Sequence, residues 1–117
     1  MAISGFNHNV RWNEFRNRRS RPSGVDEDAQ IKTRTVAGQF RTRQRSGEDC
    51  RVTSVDIGLS VDRSRTWVIA GRQNADLLNH EQGHYDIVAL GTRELYNRVL
   101  NLTDPECSNL SERIQEI

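Results

Sequence analysis

Two histidines and a glutamate in the second half of the chain have the spacing of a metal-dependent hydrolase. His80, Glu81 and His84 form the pattern His-Glu-x-x-His. An α-helix advances about 100° per residue, so positions four apart return to one face and two imidazoles can bind one ion. A catalytic zinc uses such nitrogen ligands, keeps one position for water, and works with a carboxylate that takes the water proton. The pattern predicts His80 and His84 as metal ligands, Glu81 as general base and Zn²⁺ as cofactor.

The motif requires a helix, and the surrounding residues predict one. Asn74 is a good N-cap, and Asp76 places a negative charge in the first turn, where the helix dipole favours it. A stripe of apolar and motif residues then follows one side of the helix: Leu77, Glu81, His84, Val88, Leu95 and Val99. This stripe predicts that the motif face packs towards the interior. Gly91 predicts either a kink or the close approach of another backbone.

Strand patterns precede this helix, and a second helix follows it. The alternation from Cys50 to Val61 predicts a strand with one buried face. Residues 31–40 and 66–70 predict two more strands, and the three together suggest an antiparallel meander. Pro105 suits the first turn of a C-terminal helix, with Asp104 as its cap. The predicted fold class is α+β, with a small antiparallel sheet of about three strands packed on the long motif helix.

The composition predicts a single domain over residues 1–117. Only 34% of the residues are hydrophobic and 28% are charged, so a metal or a cross-link is expected to help stabilise the core. The formal net charge of +1 argues against a nucleic-acid or membrane-surface partner. No apolar run approaches the ~20 residues of a membrane-spanning helix. The arginine cluster at residues 16–21 is interpreted as a solvated connector, with phosphate binding as a minor alternative.

The two cysteines, Cys50 and Cys107, lie far apart and form no Cys-x-x-Cys pair. A disulfide between them would close a loop whose entropy is worth roughly 3 to 5 kcal/mol. Such a bond would favour an oxidising, extracytoplasmic location. Against this, residues 1–5 begin no basic and apolar signal segment. The compartment is therefore left open by the sequence.

The string from Leu77 to Ile87, Leu-Leu-Asn-His-Glu-Gln-Gly-His-Tyr-Asp-Ile, resembles the signature of an uncharacterised bacterial family of zinc-dependent proteases. The typical string of that family is Leu-Leu-x-His-Glu-Gln-Gly-His-Phe-Asp-Ile, and the early Trp12-x-x-Phe15 also resembles its opening. The resemblance implies a small zincin-like α+β fold, with the motif histidines as ligands and the motif glutamate as base. Family members are commonly exported, which fits a disulfide but not the lack of a visible signal peptide.

The motif does not supply the third metal ligand. A metzincin would continue with glycine and histidine where Ile87 and Leu90 stand, so that class is excluded. Glu94 is about 15 Å beyond His84 along a continuous helix, and it reaches the metal only if Gly91 breaks that helix. The candidates are Glu94 and Glu106, then His8, with the run Asp26-Glu27-Asp28 as a further source of carboxylates.

The pattern as a whole predicts a zinc-dependent peptidase that acts on a peptide or protein substrate. The alternative is a non-catalytic zincin-like module, in which the same residues hold a metal or bind a partner. In a third interpretation the arginines bind nucleic acid, which would require steep salt dependence and is disfavoured by the near-zero net charge. The sequence indicates neither the cleavage specificity nor the oligomeric state.

Overall fold

A long β-hairpin and a long helix make up most of the fold. The computed structural model describes residues 3–117. The strands are β1 (Ile3–Ser4), β2 (Arg16–Arg18), β3 (Ala29–Gln30), β4 (Thr33–Arg43), β5 (Cys50–Val61), β6 (Trp67–Ile69) and β7 (Thr103–Asp104). The helices are α1 (Ala75–Leu100) and α2 (Cys107–Gln115), and 3₁₀ turns span Trp12–Glu14 and Arg63–Arg65. The predicted α+β class is confirmed.

The strands form two sheets, so the predicted three-stranded meander is wrong. In the first sheet β5 pairs with β4 and β7 in antiparallel fashion and with β1 in parallel. In the second sheet β6 lies between β2, which is parallel to it, and β3, which is antiparallel. A meander would need β6 on the free side of β5. That side is occupied by β1 at Ile57 and Gly58 and by β7 at Cys50 and Arg51.

Strand β5 has the predicted bounds, and its side chains alternate as predicted. Val55, Ile57 and Leu59 are buried, whereas the residues between them are exposed or half-buried. Strand β4 is mostly exposed, and its register with β5 shifts between Ala37 and Phe40. A β-carbon on the intervening Gly38 would lie 2.9 Å from Cβ of Asp56, so glycine allows the two strands to stay paired around this irregularity.

The buried side of α1 differs from the predicted stripe. Five residues of this helix are buried: Glu81, Tyr85, Ala89, Thr92 and Val99. His84 and Val88 were placed on the inner stripe by the sequence pattern, but both are exposed. Tyr85, which is not part of that stripe, is completely buried. Phe6, Val10 and Phe15 anchor the N-terminal segment, because all three belong to the core.

Helix α1 begins as predicted and continues without interruption. The side chain of Asn74 accepts a hydrogen bond from the Leu77 N–H at 2.8 Å. The helix then runs for 26 residues through Gly91, so it does not break there, as Glu94 would need in order to reach the metal. Within residues 3–117, no heavy atom outside the local helix backbone lies within 4 Å of the position of a β-carbon on Gly91 or Gly83. Neither glycine is explained by a close backbone approach.

The C-terminal segment is fastened to the start of β5. Cys50 and Cys107 form the disulfide that the sequence suggested, and Leu110 of α2 is fully buried. Helix α2 begins two residues later than the sequence pattern predicted, with Glu106 instead of Asp104 at its N-cap position. Asp104 accepts a hydrogen bond from the Glu106 N–H at 3.0 Å. Among residues 3–117, neither helix has the length and apolar character needed to span a bilayer.

Removal of the disulfide should lower the free energy of unfolding by about 4 kcal/mol, because the bond closes a long loop in the unfolded chain. The cysteines are 57 residues apart. Urea denaturation of the Cys50→Ala/Cys107→Ala variant measures this loss. A reductant should destabilise the wild type to a similar extent and leave the variant unchanged. A wild-type midpoint that is insensitive to the reductant would contradict the prediction.

Candidate metal centre

The two motif histidines lie one turn apart on the exposed side of α1. Their Nε2 atoms are 3.0 Å apart, which is a hydrogen bond in which one ring donates and the other accepts. The ring centroids are 4.5 Å apart and the rings are nearly perpendicular, at 89°. The predicted pair is therefore brought together, but at the surface rather than in the interior. Both Nε2 atoms point towards the same solvent-accessible position.

The spacing of these nitrogens fits a divalent metal. Two imidazole ligands at 2.0–2.1 Å from a tetrahedral zinc ion have their nitrogens about 3.3–3.4 Å apart. His80 and His84 would need to separate their Nε2 atoms by only a few tenths of an ångström from the observed 3.0 Å. Small χ rotations of two exposed side chains supply such a movement. The donor set of two imidazoles beside a carboxylate is also the type that zinc prefers.

Glu81 is buried between α1 and the link from β3 to β4. Only 2% of its surface is exposed, and its Oε2 accepts a hydrogen bond from the Ile31 N–H at 3.1 Å. Burial raises the pKa of this carboxyl above its ordinary value, although the Ile31 hydrogen bond and the neighbouring His84 and His80 act in the opposite direction. The side chain is thus held in one orientation and holds its proton more readily than an exposed glutamate does.

The second oxygen of this carboxylate remains available for chemistry. Oε1 of Glu81 accepts no hydrogen bond from residues 3–117. Yet in the same part of the chain no buried side-chain oxygen lacks a partner. It follows that Oε1 is not sealed off and reaches solvent. The carboxylate therefore presents one fixed oxygen to the protein and one free oxygen to the surface cleft.

That cleft has a volume of about 410 Å³ and is formed by two walls. The link between β3 and β4 makes one wall and the outer side of α1 makes the other. Its lining residues are Glu27, Gln30, Ile31, Lys32, Thr33, Glu81, His84, Ile87 and Val88. Ile87 is 68% exposed and Val88 is 37% exposed. Polar residues thus line one side of the cleft and apolar residues line the other, together with Glu81 and His84 of the motif.

The leading sequence candidates for a third ligand do not join this centre. The donor atoms of His80, Glu81 and His84 lie within 4.8 Å of one another, and within residues 3–117 no other histidine, cysteine or acid belongs to that group. Glu94 is farther along the unbroken helix and pairs with Arg98 at 3.5 Å. Glu106 caps α2, beyond the opposite end of α1. Both glutamates are exposed and remote from the motif.

His8, the remaining candidate, serves a different contact. Its Nε2 lies 2.8 Å from both carboxylate oxygens of the buried Glu14. Its ring packs against the ring of Tyr85, with centroids 5.4 Å apart. This places His8 on the buried side of α1, away from the exposed side that carries His80 and His84. The structure gives His8 a role in fastening the N-terminal segment to the helix.

Gln82 and Tyr85 hold the motif turn in place, although the sequence pattern gave neither of them this role. The Gln82 side chain accepts a hydrogen bond from the Val10 N–H at 2.7 Å and donates one to the His8 carbonyl at 3.0 Å. The Tyr85 hydroxyl donates to the Gly5 carbonyl at 2.6 Å. The sequence did contain one signal for Gln82. This residue occupies a position that His-Glu-x-x-His leaves unrestricted, yet glutamine also stands there in the family string that the chain resembles.

Gly5 has to be a glycine for this contact to exist. Its φ is +82°, and a β-carbon there would lie 1.7 Å from the Leu59 carbonyl oxygen. The backbone of residue 5 therefore lies directly against β5, and its carbonyl reaches Tyr85. The N-terminal segment, β5 and α1 meet at this point. The motif turn is positioned by that three-way contact.

Replacement of Gln82 by alanine should lower the free energy of unfolding by about 1–3 kcal/mol, because the Val10 N–H and the His8 carbonyl lose their partner. Urea denaturation measures the change. Gln73→Ala is the matched control, since Gln73 makes a single exposed contact with Asn17 at 3.3 Å and should change stability by less than about 0.5 kcal/mol. Equal stabilities of the two variants would show that Gln82 does not fasten the segment.

Comparisons with protein-family models, with curated proteins and with solved structures found no match to this chain.

Proposed function

We propose that this protein is a zinc-dependent peptidase. The observation that carries the proposal is the state of Glu81, which is buried and fixed by the Ile31 N–H while its Oε1 remains open. A glutamate with only a structural role in the core would not need a free carboxylate oxygen. A glutamate that lay on the surface without a function would not be buried. Beside it, His80 and His84 bring two Nε2 atoms to 3.0 Å, which suits a zinc ion.

The proposed reaction divides the work among the motif residues. His80 and His84 would hold the zinc through Nε2. Bound zinc is a Lewis acid that lowers the pKa of water and polarises a carbonyl group. Glu81 accepts the proton of the attacking water at Oε1 and later delivers it to the leaving amine. The Ile31 N–H keeps Oε2 in place during both transfers, and burial keeps the carboxyl pKa above its ordinary value, which favours proton transfer in both directions.

The proposed substrate is an extended peptide or protein segment. Residues 30–33 give one wall of the cleft polar residues, and the opposite wall offers the exposed apolar side chains of Ile87 and Val88. A peptide carries both kinds of group, and in an extended conformation it can satisfy both walls at once. An apolar side chain next to the scissile bond would cover Ile87. The disulfide between Cys50 and Cys107 supports an oxidising compartment outside the cytoplasm as the place of action.

A non-catalytic metal-binding module is the second candidate. A carboxylate oxygen of Glu81 lies within the same 4.8 Å as the histidine nitrogens, so Glu81 is close enough to be a ligand instead of a base. In that arrangement no residue of the motif is left to move a proton. The two candidates therefore differ in what Glu81 does, and one substitution separates them.

Glu81→Gln should retain zinc and lose at least about 100-fold in kcat/KM. The glutamine oxygen can still accept the Ile31 hydrogen bond, so the fold should persist, but the amide cannot take a proton. Zinc stoichiometry and hydrolysis of a fluorescently labelled unfolded protein are measured together. Wild-type activity in Glu81→Gln would exclude the base role. Weaker zinc binding by Glu81→Gln, together with an inactive wild type, would favour the metal-binding module.

His80→Ala and His84→Ala should each weaken zinc binding by at least about 100-fold, because each removes one of the two converging nitrogens. Competition with a chromophoric chelator measures the affinity. The matched control is Glu94→Gln on the same helix, whose carboxylate pairs with Arg98 and should leave zinc binding unchanged. Unaltered affinity in both histidine variants would rule out this metal site.

A further inference from the structure

We infer that Glu27 is the third protein ligand of the metal centre formed by His80 and His84. The inference rests on the proposed function, since it concerns the same metal. Catalytic zinc sites generally use three protein ligands and leave the fourth position to water. Two histidines therefore leave one protein position open. Glu81 does not fill it if its carboxylate is the base.

Glu27 lies in the cleft that contains the motif. It lines the same cleft as Glu81 and His84, and within residues 3–117 no other carboxylate besides Glu81 lines that cleft. A carboxylate oxygen is a ligand that zinc accepts beside imidazole nitrogens. Glu27 therefore brings a donor of suitable chemistry to the cleft.

The side chain of Glu27 is free to become a ligand. It is exposed, and it makes no hydrogen bond or ion pair with any residue of the described chain. Its neighbour Asp28 is committed elsewhere, since its carboxylate binds Arg21 at 2.6 Å. Asp86, the next acid after Glu81 on the motif helix, accepts a hydrogen bond from Gln82 at 2.9 Å. Apart from the proposed base Glu81, only Glu27 among residues 3–117 combines a position in the cleft with an uncommitted carboxylate.

The backbone on either side of Glu27 limits where its carboxylate can go. The Val25 N–H donates to the Pro22 carbonyl at 3.1 Å, and the Asp28 carbonyl accepts from the Ile69 N–H at 2.7 Å. Glu27 thus lies in a short exposed span between a turn and an anchored residue. Its carboxylate is outside the group of donor atoms that lie within 4.8 Å, so it must swing towards the histidines when the metal binds. Because both ends of this span are held by hydrogen bonds, the Glu27 side chain can move only at the mouth of the cleft.

Zinc affinity of Glu27→Gln tests the inference without relying on activity. The substitution should weaken zinc binding by at least about tenfold, because it removes a ligand, and it should change the visible absorption spectrum of the Co²⁺-substituted protein. Asp26→Asn is the matched control. It removes one negative charge from the adjacent residue, which does not line the cleft, and should leave the affinity within about twofold of the wild type and the Co²⁺ spectrum unaltered. Circular dichroism checks that both variants fold.

Three outcomes would overturn the assignment. Wild-type affinity and an unaltered Co²⁺ spectrum in Glu27→Gln would show that Glu27 is not a ligand, and the peptidase proposal would stand if Glu81→Gln is still inactive. An equal loss of affinity in Glu27→Gln and Asp26→Asn would show that only the loop charge matters. A wild-type protein that binds no zinc would overturn both the ligand assignment and the proposed function.

Discussion

The hydrogen bond from the Ile31 N–H to the buried Glu81 carboxylate is the interaction on which the site depends. Taking a carboxylate out of water costs several kcal/mol unless partners replace the lost hydration. One oxygen receives the main-chain N–H at 3.1 Å, and the other remains in contact with solvent. The link at residues 31–32 must be rigid for this to work. It is held because the Lys32 N–H donates to Thr66 Oγ1 at 3.0 Å and the Lys32 carbonyl accepts from the Asp62 N–H at 2.8 Å.

The same carboxylate explains why the histidines are exposed although the motif is packed. With about 100° of rotation per residue, His80 and His84 lie about 100° and 60° to one side of Glu81. When Glu81 points directly at the core, both imidazoles are therefore carried to the edge of the buried face. Tyr85, on the other side of Glu81, is carried under β5 and is fully buried. One helix thus presents a fixed base, an exposed pair of nitrogens and a buried anchor within six residues.

The sequence predicted the parts of the fold that depend on local pattern. The alternation in β5 and the Asn74 cap of α1 are local signals, and the structure has both elements where they were expected. The sheet pairing could not be predicted in this way. Short strands such as β1 and β2 contribute two or three residues each and carry no periodicity, yet they occupy the positions that a meander would need. The inner stripe of α1 was misplaced at His84 because histidine fits either a buried or an exposed position.

The same distinction between local sequence pattern and tertiary contacts applies to the prediction of the candidate site. Spacing along one helix was enough to place His80, Glu81 and His84 together. A ligand from another element depends on the tertiary path of the chain, and Glu94, Glu106 and His8 were chosen by distance in sequence without that path. The acidic run at residues 26–28 gave no sign of which member faces the cleft. In the folded chain Glu27 lines the cleft, whereas its two neighbours do not.

The small apolar core explains why cross-links matter for the stability of this fold. Only 34% of the residues are hydrophobic, and a chain of this size buries a limited apolar area on folding. The disulfide between Cys50 and Cys107 fastens α2 to the start of β5. The end of β5 meets the motif turn of α1 through the contact of Leu59 with Gly5 and Tyr85. A metal held by α1 and the loop before β3 would join two further elements, and would add to the disulfide a second cross-link that the apolar core does not supply.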